Sequence, residues 1–541
     1  MRVAAFFTVP FVFVACSSAP SNSPPGADAD GGASEAAADG GSGPHSCEVT
    51  SKGTAGVVLQ GRLLLPAGPL DGELLIDAAG KIACAAASCA ASPGYGQATL
   101  VSCAGAVISP GLVNAHDHTN YATQPPIAVG QQRWEHRHGW RTGNGGPKLP
   151  GPQSTTNAAL IAAAELRFVM SGATSILSSG GVSGLLRNVA SFKNPEQLEG
   201  LTGKTAYFDT FPLGDSNGTE IANGCAYPAV RSAGAAFADG VYAPHVAEGI
   251  NAAAENEFAC VKGALVTSRT AIIHGVGLGA ADVATIKAQG ALVVWSPRSN
   301  IVLYGNTAPV TELAQAGVPL ALGTDWLPTG SMNMLRELAC ARSLSEKYFA
   351  GAFDDRALWT MATKNGSIAT GFSDQIGELA VGKYADLAVY DGSSGADYGA
   401  VVRAGVEDVR LVMRGGKVLY GDSALTSALA TGCADLDVCG QKRQACVDTP
   451  GVTLAAIESA IASVYPLFFC KNAAPAGEPS CVPYRDTYPA GTSATDRDGD
   501  GVLDSADDCP DVFNPARPMD NGAQADANKN GKGDACDPSP L

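Results

Sequence analysis

NAHDHTN, residues 114–120, places two histidines two apart at the end of an apolar run, VISPGLV (107–113). In an extended strand residues i and i+2 point to one face, so His116 and His118 are set to aim at a common point. Imidazole nitrogen is a good ligand for Zn2+. A lone His-x-His is weak evidence, because the same pattern recurs as HRH (136–138) inside RWEHRHGWR (133–141) with no strand-like run before it. The rest of the histidine inventory carries more weight. Of seven histidines, His45 lies in a polar stretch, two belong to HRH, and the other four end strand-like runs: His116, His118, His245 in VYAPHVAEG and His274 in AIIHG. Asp325, in LALGTDW, closes another such run. Chemistry-bearing groups collected at the C-terminal ends of strands are the pattern of a parallel barrel mouth.

Outward from that stretch, apolar runs alternate with Ala-rich helical windows between about 111 and 370: GLVNAH, ATSILSS, TAYFDT, GVYAPH, AIIHGV, ALVVWS and PLALGT. Repeated strand–helix units imply an α/β fold with a parallel sheet and helices outside it, and eight units close a (β/α)8 TIM barrel. Seven strands are placed by these runs; the eighth is expected within 180–240, with GLLRNV as its candidate. Residues 56–108 and 375–425 are β-type with Gly and Pro turns on both flanks, which predicts one small β-sandwich built from both ends of the catalytic unit. The expected division is a signal at 1–16, a flexible tether at 17–46, the composite sandwich at 47–108 and 372–425, the barrel at 109–371, a Cys-rich extension at 426–495 with one helix in VTLAAIESAIASVYPLFF, and an acidic tail at 496–541.

Composition bounds the partners. Net charge is −17 and Lys and Arg gather into no patch, so nucleic acid is excluded as a partner. The start, MRVAAFFTVPFVFVACSS, has a short basic end, an apolar run and a small residue before a cysteine. It resembles a bacterial lipoprotein signal, with Cys16 as the lipid-bearing residue that would anchor the chain to a membrane. The expected place is the cell envelope, at the outer membrane or cell surface, with plain secretion as the alternative. With Cys16 set aside, fourteen cysteines remain, an even number of the kind an oxidising compartment favours. Cys260 and Cys340 fit buried free thiols as well as disulfides.

SPGLVNAHDH, PHVAE, IIHG, WSPRSN, LGTDW and IGELAVGKYADLAVYD occur in that order. They resemble the amidohydrolase superfamily, in the branch of cytosine, guanine and S-adenosylhomocysteine deaminases and triazine chlorohydrolases. The resemblance implies that His116, His118, His245 and Asp325 hold one divalent metal, Zn2+ first with Fe2+ or Mn2+ also suited. It implies a metal-activated water as nucleophile, Glu248 as proton shuttle, and His274 as the group that orients water or polarises a small-molecule substrate. Deamination at a non-peptide carbon–nitrogen bond is the leading activity; hydrolysis of a cyclic or linear amide is second, and a non-catalytic calcium-dependent surface binding protein is the rival from another class. Two-metal members of the superfamily use a bridging lysine, and none occurs between Lys204 and Lys262; one metal is therefore favoured, with Glu220 as the residue that could bridge instead. Trp326 is bulky where the superfamily more often has a small residue. Arg298, Ser299 and Asn300 either support the mouth or form a structured turn, and RWEHRHGWR either covers the substrate or packs on the rim.

The tail, DRDGDGVLDSADDCPDVFNP…DANKNGKGDACDPSP, holds eleven Asp against four Lys or Arg. Asp at alternate positions around a central Gly surrounds a hard cation with oxygens, and the stretch is similar to thrombospondin type 3 repeats. That similarity implies Ca2+ at Asp496, Asp498, Asp500, Asp504 and Asp507, a second site at Asp526, Asn528, Asn530 and Asp534, and a Cys509–Cys536 pair. Substrate identity and oligomeric state are not legible.

Overall fold

The computed structural model describes residues 46–151, 153–190 and 195–541; the lipidation reading at Cys16 and most of the tether lie outside them. The N-terminal strands are β1 (Glu48–Ser51), β2 (Val57–Leu65), β3 (Gly68–Ile76), β4 (Ile82–Ala86) and β5 (Thr99–Pro110). These strands bury residues on both faces: Leu59, Leu63, Leu74 and Ile108 lie in one cluster, and their neighbours Val58 and Leu75 in another.

β5 runs through Gly111 directly into β6 (Leu112–Asp117), which starts the central parallel array. Gly111 is required there: a Cβ would lie 2.4 Å from the Thr174 side chain. The array continues as β7 (Ala173–Ser178), β8 (Arg187–Asn188), β9 (Ala206–Asp209), β10 (Val241–Val246), β11 (Ala271–His274), β12 (Leu292–Trp295) and β13 (Leu320–Leu322). Strands β6, β7 and β8 form one parallel set, and β9 to β13 pair in sequence order as another. Isolated parallel bridges, Ala190 to Ala206 and Asp117 to Asp325, continue the pairing across both gaps between the sets. The eighth strand falls within GLLRNV and is only two residues long.

Strands β10 to β13 are buried on both faces, as parallel strands between a core and covering helices are. Ala243, Ala271, Ile273, Leu292, Val294 and Ala321 share one cluster. Their neighbours Tyr242, Ile272, Val293, Leu320 and Leu322 pack outward with the helices. Those helices are capped by their own sequence: the Asn157 side chain accepts from the N–H groups of Ala159 and Leu160 to start Ala158–Val169, and Asn333 accepts from Arg336 to start Met334–Tyr348.

After the array come β14 (Leu387–Tyr390), β15 (Val409–Arg414), β16 (Lys417–Asp422), β17 (Ala434–Val438) and β18 (Gln441–Ala445). β14 pairs antiparallel with β5, from Leu387–Pro110 to Tyr390–Val107, so strands from the two ends of the chain make one ten-stranded sheet. β17 and β18 extend that sheet beyond residue 425, into the Cys-rich stretch. The helix expected over VTLAAIESAIASVYPLFF is confined to Leu454–Ile461. It packs on Ala158–Val169, and Arg167 fastens the following turn by donating to the carbonyls of Tyr465 and Pro466.

Seven disulfides use all fourteen cysteines after Cys16: 47–103, 84–89, 225–260, 340–481, 433–446, 439–470 and 509–536. The buried-thiol alternative for Cys260 and Cys340 is thereby set aside. The tail lacks regular elements apart from one short turn of helix, yet it is docked. Phe513 N–H donates to Tyr348 O at 2.8 Å, Met519 N–H to Ile250 O at 3.2 Å, and Arg517 Nη1 to the carbonyls of Val276 and Leu278 at 3.3 and 3.1 Å. No helix among the described residues is long and apolar enough to cross a membrane.

Candidate active site

Four strands deliver the site. His116 is near the end of β6 and His118 just beyond it, His245 lies in β10, His274 ends β11, and Asp325 follows β13. The His116 ring centre is 5.3 Å from that of His118, 4.8 Å from His245 and 5.0 Å from His274. Nε2 of His116 and Nε2 of His245 are 3.1 Å apart. Asp325 Oδ1 is 3.5 Å from His116 Nε2 and 3.7 Å from His118 Nε2. Ligand-capable atoms of His116, His118 and His245 fall within 4.8 Å of one another, and so do those of His116, His274 and Asp325. Glu248 Oε2 lies 3.7 Å from His274 Nε2. His116, His118, His245, His274, Asp325 and Glu248 thus form one cluster, buried except for the partly exposed His118.

The backbone is bent to achieve this. His274 and Asp325 have φ of 70° and 66°, a left-handed conformation costly for residues with a Cβ and concentrated at functional sites. Each ends the alternation of its strand and turns its side chain toward the others.

The imidazoles are also held in register. His245 Nδ1 is 3.1 Å from the Asp209 carbonyl, which can only accept, so Nδ1 carries the proton and Nε2 presents a lone pair. The Ser179 hydroxyl donates to Asn120 Oδ1 and so accepts from His118 Nδ1 at 3.0 Å. His116 Nδ1 is 3.1 Å from Ser296 Oγ. Support of the distal nitrogen is what orients metal-ligating histidines. His274 differs: its Nδ1 is buried without a hydrogen-bond partner, and its Nε2 faces Glu248.

Burial dominates the electrostatics. It lowers the pKa of His116 well below the usual imidazole value, with His245, His274 and His118 adding to the effect, and takes His118 down to about 3. His245 and His274 are lowered by burial as well. The rings are therefore neutral, as metal ligation requires. Burial and then the Glu248 charge push Asp325 well up, against the hydrogen bond that Ser299 Oγ donates to its Oδ2 at 2.5 Å. Neutral imidazoles with lone pairs aimed at one another beside a strained, buried carboxylate fit a divalent cation of borderline softness, and the donor set is that of Zn2+, Fe2+ or Mn2+.

RWEHRHGWR does pack inward. His136, Arg137 and His138 are 3%, 1% and 0% exposed, and Arg137 is shared among Asp215, Glu257 at 3.2 Å and Glu248 at 4.0 Å. Glu220 sits beside His136, 3.7 Å from its Nδ1, rather than among the strand-end imidazoles. Trp326 is buried between Tyr121 and Trp140, with ring centres 5.6 and 5.8 Å away. Arg298, Ser299 and Asn300 belong to the helix Pro297–Tyr304; Ser299 touches Asp325, and Arg298 donates to Ser331 Oγ at 2.7 Å.

The supports were missed in the sequence. Ser179 and Ser296 end the runs ATSILSS and ALVVWS, so the strand-end rule that found the histidines finds them too if hydroxyls are admitted. The Asp209 carbonyl carries no such signal.

In the tail, Asp496, Asp498 and Asp500 converge. Asp498 is 1% exposed and its Oδ2 has no partner. Burial and then the Asp500 and Asp507 charges push its carboxyl up to about 8. Asp507 Oδ1 and Asp500 Oδ2 both accept from Gln524 Nε2, whereas Asp504 is engaged by Arg497 at 2.9 Å. Farther on, Asp526 accepts from the N–H groups of Asn530 and Gly531, Asp534 from that of Ala527, and Asn528 and Asn530 both donate to Asp537, which the sequence did not flag.

Residues 233–419 match the model of the amidohydrolase family. A 5-methylthioadenosine/S-adenosylhomocysteine deaminase of Teredinibacter turnerae is 40% identical over 131 residues, 24% of this chain and 29% of that protein. One of the same name from Halobacterium salinarum is 40% identical over 124 residues, 22% of this chain and 28% of that protein. The chain thus matches less than a third of the length of these curated relatives. Among solved structures, an adenosine deaminase from Xanthomonas campestris with bound zinc superposes with a TM-score of 0.46 and 18% identity, covering 75% of this chain and 96% of that one.

Proposed function

We propose that the protein is a metal-dependent hydrolase of the amidohydrolase superfamily, acting on a non-peptide carbon–nitrogen bond of a small molecule, and that it is a deaminase. The catalytic unit is read as a (β/α)8 barrel, supported by the eight parallel strands and the two bridges that join their sets. His116, His118, His245 and Asp325 hold one divalent metal, Zn2+ in the first instance. When bound, that ion supplies Lewis acidity for activating water. Glu248 carries a proton from the water to the leaving nitrogen through Oε2. His274, with Nε2 toward Glu248 and its other nitrogen unsatisfied, orients the water or the substrate. The deaminase names carried by the relatives favour adenine nucleosides bearing a 5′ thioether as the substrate class.

One observation carries this reading: three supported, neutral imidazoles and Asp325 arrive from three strand ends with ligand atoms a few ångströms apart. The test is ammonia release from a panel of S-adenosylhomocysteine, 5′-methylthioadenosine, purines, pyrimidines, pterins and triazines. Release that depends on added metal and falls by about 10²–10⁴-fold in Glu248→Gln, the scale of general acid–base catalysis, is expected. Release undiminished in Glu248→Gln contradicts the reading; cleavage of amides without ammonia moves it to amide hydrolysis.

Two further parts belong to the same proposal. The tail binds Ca2+ through Asp496, Asp498, Asp500 and Asp507, for which the unpartnered, buried Asp498 Oδ2 is the support. The chain is exported to the cell envelope, a reading supported by seven disulfides, which persist in oxidising compartments.

A further inference from the structure

RWEHRHGWR supplies none of the proposed metal ligands, yet it reaches the site through Trp140. Trp140 Nε1 lies 3.0 Å from Tyr304 Oη, and Tyr304 Oη lies 2.7 Å from Glu248 Oε1. An indole N–H can only donate. Tyr304 Oη therefore accepts from Trp140, and its single hydrogen goes to Glu248. The first direction follows from the donor inventory alone, and the second holds for ionised Glu248, which can only accept.

Tyr304 is the last residue of the helix Pro297–Tyr304 and is 0% exposed. Burial, and after it the Glu248 charge, keeps its phenol protonated well above the usual range. The two Glu248 oxygens are consequently unlike. Oε1 is tied to Tyr304, whereas Oε2 lies 3.7 Å from His274 Nε2 and 4.0 Å from Arg137 Nη1. Arg137 is held more closely by Asp215, Glu257 and the Thr210 carbonyl at 3.0 Å, with Glu248 its most distant acidic partner.

We infer that Tyr304, itself oriented by Trp140, is a positioning residue that pins Glu248 Oε1 and so presents Oε2 to His274 and the imidazole cluster as the proton-carrying atom. This rests on the reading of Glu248 as proton carrier. A glutamate has several side-chain rotors, and fixing one oxygen removes unproductive rotamers before the reaction begins, which is how a buried support converts geometry into rate. It also gives RWEHRHGWR a task beyond packing: its last tryptophan completes the support.

Tyr304→Phe removes one oxygen and keeps the ring. In crystal structures of the zinc-loaded proteins, the variant is expected to show Glu248 displaced or in several rotamers, with His116, His118 and His245 in place and one zinc per chain. With the fastest substrate of the panel, kcat is expected to fall about tenfold to a hundredfold, the scale of a hydrogen bond to a charged group, with KM unchanged. In a Glu248→Gln background the same substitution is expected to cost nothing more, because the two residues act through one group. Trp140→Phe, which deprives Tyr304 of its donor, is a second variant with the same expected sign. A Glu248 that keeps its place in Tyr304→Phe, or equal losses in both backgrounds, overturns the inference. A Glu248→Gln enzyme with undiminished kcat overturns instead the reading beneath it.

Discussion

Asp215 shows what one carboxylate does for the buried HRH segment. It is 0% exposed and accepts from Arg137 Nη2 and, at 3.0 Å, His138 Nε2. Burial alone would raise its pKa, but the His138 hydrogen bond and the Arg137 charge outweigh that and take it down to about 2. A folded pKa below the unfolded value of about 3.9 stabilises the fold above that value and ceases to do so as pH falls from about 4 to about 2, a change on the order of 2 kcal/mol. Asp215→Asn should lower stability at neutral pH, since it leaves a buried guanidinium short of a partner, and should flatten the loss between pH 4 and pH 2. Urea denaturation at pH 6, 4 and 3 checks this; curves that stay parallel to wild type contradict it. At this scale the sequence was readable where a residue ended a strand. His116, His118, His245, His274 and Asp325 were found that way, and Glu248 came with His245. Arg137 and Tyr304 were not, because their partners come from distant parts of the chain and burial cannot be read from a charged or phenolic side chain.

Elements meet closely where the chain leaving β13 passes β6. Asp325 N–H donates to His116 O at 3.0 Å, and a Cβ on Gly323 would lie 2.6 Å from His116 Cβ and 2.9 Å from its backbone nitrogen. Gly323 is therefore the residue that lets Asp325 approach the histidine pair. Gly323→Ala forces the two strands apart at a cost of about 1–3 kcal/mol, so a lower melting temperature and less than one metal per chain are expected by calorimetry and metal analysis. Wild-type values for both contradict the account. Element-scale legibility followed hydrophobic pattern. β9 to β13 were plain apolar runs, whereas β8 is two residues long and offers almost no pattern. β17 and β18, ADLDV and QKRQA, are polar and partly exposed; the Cys433–Cys446 bridge ties the two ends of that hairpin together, and no apolar alternation announced it.

The whole molecule joins the proposed catalytic unit to its acidic tail. Met519 holds Ile250, two residues beyond Glu248, and Arg517 holds the Val276 and Leu278 carbonyls, just beyond His274. The tail thus braces two loops that leave the site. If Ca2+ neutralises the Asp496, Asp498 and Asp500 group, adding it at fixed zinc should raise the melting temperature, and Asp498→Asn should abolish the rise; an undiminished rise in that variant contradicts the assignment. The acidic tail was legible as a distinct stretch because composition changes sharply there. The docking of the tail was not, since Phe513 and Arg517 meet partners from distant parts of the chain, the Tyr348 and Tyr488 rings and the Val276 and Leu278 carbonyls.

The most direct test of the metal centre is anomalous diffraction at the zinc edge from crystals of the zinc-loaded protein. One peak bounded by His116 Nε2, His118 Nε2, His245 Nε2 and the Asp325 carboxylate, absent from His118→Ala, is the predicted result. Zinc found elsewhere on the chain, with no peak among those four residues, would contradict it.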